Sequence, residues 1–104
     1  MGVGMQIVYL GFPGAAPLEA EAGAQLVRLA RFDALVANWH LAIEALHPGA
    51  SSPLYDVRLD LITPAHELKP VARCAGASAE AAIRSAFDLA EKELETVAAR
   101  GHAH

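Results

Sequence analysis

Leu35-Val-Ala-Asn-Trp-His-Leu-Ala-Ile-Glu-Ala-Leu46, followed after His47-Pro-Gly-Ala-Ser-Ser-Pro53 by Leu54-Tyr-Asp-Val-Arg-Leu-Asp-Leu-Ile62, decides the fold. In the first run Leu35, Ala37, Trp39, Leu41 and Ile43 fall on one face, and Asn38, His40 and Glu44 on the other. Successive side chains of a strand point to opposite faces, so this alternation predicts a half-buried strand. The second run repeats it, with Tyr55, Val57, Leu59 and Leu61 inward and Asp56, Arg58 and Asp60 outward. The segment between them is dense in turn formers and closes an antiparallel pair. Its length sets residues whose numbers sum to about 100 opposite one another. His40 then faces Asp60, Glu44 faces Asp56, and Arg58 lies diagonal to both.

Working outward toward the N-terminus, Met5–Leu10 is a short apolar run stopped by Gly11, Pro13 and Gly14, and it predicts the first strand. Pro17 opens a helix to about Arg31, since its missing N–H has no partner in a first turn anyway. Leu18, Ala22, Leu26 and Leu29 give that helix its apolar stripe. Toward the C-terminus, Thr63–His66 turns the chain and Leu68 to about Ala75 forms a fourth strand. Pro70 donates nothing to a ladder, which makes this an edge strand or an irregular one. Ser78 is the expected N-cap of a second helix. Ile83, Phe87, Ala90, Leu94 and Val97 follow at helical spacing until Gly101. Residues Met1–Gly4 and Gly101–His104 are expected to be disordered.

The resulting order is β-α-β-β-β-α. Elements with one apolar face each require a two-layer α+β sandwich: a four-stranded mixed sheet with both helices on one face. The helix between the first two strands makes them parallel, and the remaining pairs are antiparallel. Residues 1–104 form one domain, with an ordered core over about 5–100.

Composition narrows the function. The hydrophobic fraction is 54%, but much of it is alanine, so the core rests on larger residues such as Trp39, Phe32 and Phe87. Cys74 is the only cysteine, which leaves no intrachain disulfide and no in-chain cysteine zinc site. That suits a reducing cytoplasm. No stretch has the ~18 apolar residues of a membrane span, and the first residues carry no basic leader region. Formal net charge is −4, from 8 basic and 12 acidic residues, a balance unsuited to non-specific nucleic-acid binding. His66, His102 and His104 share no ligand spacing, so no metal and no cofactor are expected. The His40–Asp60 pair is a fragment of acid–base machinery without a nucleophile, and an enzyme is not expected.

Three stretches carry a family resemblance. They are Met5-Gln-Ile-Val, then Val36 to Glu44, then the run from Pro70 through the small-residue turn into Ala82-Ile83. In order and spacing the chain resembles the hibernation-promoting factor and ribosome-associated inhibitor family, some members of which carry a sigma-factor modulation label, in its short form. The resemblance implies a ribosome-associated stress factor that sits on the small subunit and inhibits translation by occupancy. It implies rRNA contacts from Arg28, Arg31, Lys69, Arg73, Arg84 and Lys92.

Each candidate also has a plainer reading. Arg28 and Arg31, at i, i+3 spacing, complement the negative end of their helix. Glu80, Arg84, Asp88 and Lys92 form an i, i+4 ladder of alternating sign, as on a solvated helix face. Trp39 packs against Phe87 rather than stacking on bases, and Cys74 is a structural thiol. The competing function is a protein–protein interaction module. Its outer sheet face offers Val36, Ala42, Leu46 and Ile62 to a homodimer or another partner.

Overall fold

A computed structural model describes residues 3–46 and 51–101. The strands are β1 (Gly4–Leu10), β2 (Asn38–Leu46), β3 (Leu54–Ile62) and β4 (Leu68–Gly76). The helices are α1 (Ala16–Arg28) and α2 (Ala79–Gly101), and a 3₁₀ turn covers Ala30–Leu35. The sheet order is β1-β2-β3-β4, with β1 parallel to β2 and the other pairs antiparallel. The β2–β3 register places His40 against Asp60 and Glu44 against Asp56, as the alternation and loop length predict. Residues His47–Ala50 of that loop and the tail His102–His104 lie outside the described residues.

One hydrophobic cluster joins Leu18 and Ala22 of α1 and Ile83, Ala86, Phe87, Ala90 and Leu94 of α2 to Trp39, Leu41, Ile43, Val57, Leu59 and Leu61 of the sheet. Both helices therefore cover the same face. Trp39 and Phe87 are almost wholly buried, with ring centroids 5.9 Å apart. Alanines at 79, 82, 86 and 90 bury little area themselves but let α2 lie close to the sheet. At the start of α2, Ser78 Oγ accepts the Ala81 N–H at 3.2 Å, the expected cap.

Five boundaries or positions differ from expectation. The α-helix stops at Arg28, and the 3₁₀ turn takes the chain on through Leu35, so β2 begins at Asn38. Val36 precedes the strand, where two-residue alternation does not yet apply. It is 2% exposed and belongs to the core rather than the outer face, while Ala37 is exposed. Gly4 is already in β1, and Val3 packs on the core. Val97 is 39% exposed, and beyond Leu94 it is Ala98 that packs on the core. Gly101 is still helical. Pro70 has both consequences foreseen for it: β4 is an edge strand, and its ladder slips beside Pro70, leaving Val71 as the extra residue between partners of Leu59 and Asp60.

Candidate nucleic-acid interface

The six cations proposed for RNA contact do not form one patch. Arg28, Arg31 and Arg84 come together along the seam between the helices, with Lys92 exposed on α2. Lys69 projects from β4 opposite the inward-facing Leu61. Arg73 lies on the other side of the sheet, opposite Arg58 in register.

At the seam, the arginines are held by the chain's own carboxylates. Arg28 Nη2 donates to Glu91 Oε1 at 2.6 Å and lies 2.8 Å from Asp88 Oδ1. Arg31 Nη2 donates to Glu91 Oε2 at 3.0 Å and approaches Glu95 at 3.6 Å. Its guanidinium also stacks over the Phe32 ring, 4.2 Å from the centroid. At the other end of the seam, Arg84 Nη1 donates to Glu21 Oε1 at 2.8 Å. The buried Gln25 joins the two ends: its Nε2 donates to Glu21, and its Oε1 accepts from Arg28 Nη1. Three guanidiniums thus face four carboxylates in one continuous network.

Proton affinities follow this geometry. The hydrogen bonds from Arg28, then Arg31, hold the Glu91 carboxyl below its ordinary value of 4.5. Glu21 is lowered chiefly by the Gln25 amide, with Arg84 adding to it against the opposing effect of burial. Arg28 is raised, first by Glu91 and then by Asp88. The expected ladder on α2 does not form. Arg84 and Asp88 turn to partners on α1 instead of to each other, because the seam brings opposite charges closer than one helix face does.

On the outer sheet face, Asp56 is only 5% exposed and accepts from Arg73 Nε and Nη2 at 3.1 and 2.9 Å. This fork raises the proton affinity of Arg73. Arg58 stands directly across from it, exposed. Among the described residues Arg58, Lys69, Lys92 and Arg100 have no acidic partner in salt-bridge distance. Cys74 is half-buried, and burial pushes its thiol up, with Asp56 and Asp88 adding to the effect.

A cleft of about 330 Å³ opens between the C-terminal half of α2, the 3₁₀ turn and the β3–β4 connection. Leu35, Leu61, Leu94 and Val97 line it, with Lys69 and Glu93. Among the described residues no group of three or more His, Cys, Asp or Glu side chains could hold a metal ion. No described helix is long and apolar enough to cross a membrane.

The arginines stand out in the sequence, whereas their partners Glu21, Glu91 and Glu95 are set by the packing of the helices. The signal was present: Asp88, Glu91 and Glu95 lie on one face of α2 at i, i+3 and i+7, matching the i, i+3 pair Arg28 and Arg31 in opposite sign.

Fold and surface together define a two-layer α+β sandwich whose distinguishing feature is a helix seam of paired charge. No protein-family model matches the chain, and no curated protein matches it by sequence. Solved structures match it closely in fold. One is a ribosomal subunit interface protein from Coxiella burnetii, with a TM-score of 0.77 and 13% identity over 93% of this chain and 99% of that one. Another is the Protein Y N-terminal domain of Thermus thermophilus, with a TM-score of 0.71 and 15% identity over 93% and 99%. The likeness to the hibernation-factor type of domain, read from the sequence, holds for the fold along nearly the whole chain.

Proposed function

We propose that this protein is a ribosome-associated factor that acts by occupying the small subunit, without catalysis of its own. The supporting observation is the fold: the chain matches a ribosomal subunit interface protein over 93% of its own length and 99% of the other's. A stress-linked inhibitor of translation acting in the cytoplasm is the fuller form of the same reading. Its rRNA contacts would come from Lys69 and Lys92, which are unpaired among the described residues, and from whichever of Arg28, Arg31, Arg73 and Arg84 exchange a carboxylate for a phosphate. Arg58 and Arg100 join the candidates on the same ground. Few phosphate contacts mean modest affinity at physiological salt. Sedimentation with purified small subunits tests this. Co-pelleting at low salt that declines as salt rises is expected, and a protein that stays in the supernatant at every salt concentration defeats the proposal.

A second reading has its own observation. With four of the eight Lys and Arg side chains already bound to acids, the surface suits a protein partner better than a polyanion. The outer face shows exposed Val8, Leu10, Leu54 and Leu68 around its polar centre, apolar side chains that a second copy or another partner would cover. Light scattering over a range of concentrations separates the two. A mass that doubles with concentration favours the interaction module, and a constant monomer mass counts against self-association through this face.

A further inference from the structure

Glu91 bridges two arginines of the neighbouring segment. Its two oxygens accept from two different guanidiniums, Oε1 from Arg28 and Oε2 from Arg31. A phosphodiester bridging two arginines would use its two non-bridging oxygens in the same way. Asp88 takes the remaining approach to Arg28, and Glu95 flanks Arg31. The arginines reach these acids from an element more than 55 residues distant in sequence, and the helix packing brings the two sets together.

We propose that Asp88 and Glu91 are specificity-determining residues that occupy a two-arginine phosphate site from within, so that they decide whether the helix face accepts a polyanion. This rests on the reading of the protein as an RNA-facing factor, and it names the residues that set the strength of that contact. At Nη2 of Arg28, which holds both acids, an RNA phosphate has to displace Glu91 or Asp88, and each displaced carboxylate then stands close to the incoming negative charge. The arginines are thus present and correctly spaced, yet they contribute little to counterion release while the acids remain. The seam is half-open to solvent, with Glu91 25% and Arg28 35% exposed, so a phosphate can approach without unfolding the helices.

The test uses the full chain and a short fluorescein-labelled RNA duplex, followed by anisotropy at several salt concentrations. The variant Asp88→Asn/Glu91→Gln removes both acids from Arg28 and leaves Arg31 only the longer contact with Glu95. The control Glu67→Gln/Glu93→Gln makes the same change in net charge with carboxylates that touch no arginine. The seam variant is expected to bind about three- to tenfold more tightly than the parent at low salt, with a salt slope steeper by about 1 to 2. Adding Arg28→Gln to it should remove most of the gain, leaving only the share that Arg31 supplies. The proposal is overturned if the seam variant binds like the parent, or if the control gains as much, which would make net charge the cause. Should the seam variant fold poorly, Glu91→Gln alone is read against Glu93→Gln by the same criteria. Because the ligand is free duplex RNA, the outcome is independent of whether the parent protein pellets with small subunits.

Discussion

The two sides of the sheet handle buried and half-buried charge differently. On the outer face the pairing is nearly local: Arg73 forks onto Asp56 across adjacent strands, 17 residues away. Along the helix seam the partners stand 60 and more residues apart, and nothing but the packing of α1 on α2 brings them together. The outer pair fixes one arginine against a nearly inaccessible carboxylate. The seam binds three arginines with four carboxylates that remain partly open to water. A cation's place in the sequence therefore does not tell whether it is available to a partner.

The largest effect should come from the layer between these two sides. Trp39→Ala opens a cavity against Phe87 and is expected to cost about 3–5 kcal/mol in denaturant unfolding. A loss below about 1 kcal/mol would mean that the helix layer is not anchored there, and the seam would lose its support.

Next in size is the outer pair. Asp56→Ala leaves Arg73 largely in water but removes two charge-assisted hydrogen bonds, and is expected to lower the thermal midpoint by about 5 °C. The seam, being more exposed, should respond less. Glu91→Gln is expected to lower the midpoint by only about 2 °C near neutral pH. If the seam variant costs more stability than the Asp56 variant, the contrast between the two sides is inverted.

A pH series sharpens this further. Since the folded state holds Glu91 below its ordinary value of 4.5, the unfolded chain takes up this proton first as acid is added. Its contribution is fully present above about pH 5 and is lost as pH falls through the folded value. The difference in midpoint between the parent and Glu91→Gln should therefore shrink toward zero in acid. A difference that persists there would assign the effect to packing.

Much of the fold was legible because strand alternation and helical stripes are local signals. The β2–β3 register follows from alternation and loop length together, and Ser78 declares the start of α2. The misplacement of Val36 is also local in origin: the 3₁₀ turn at Ala30–Leu35 has no strong sequence mark, so alternation carried back from β2 puts Val36 on the wrong face. The candidate site was legible only in half. Arg28 and Arg31 stand out at i, i+3, but which acids they meet depends on how two helices lie on a sheet. Asp88 satisfied an i, i+4 rule within α2 equally well on paper. The strand pattern puts Arg58 diagonal to two acid-bearing pairs, but its lack of an acidic partner is a property of the folded surface.

The most direct test of the account is the salt dependence of the unmodified protein's binding to purified small ribosomal subunits. With four of its eight cations held by its own acids, the protein should bind, with log K falling against log salt at a slope no steeper than about −3. A slope of about −6 or steeper would show that the paired arginines are available after all, and no binding at any salt would remove the ribosome from the account.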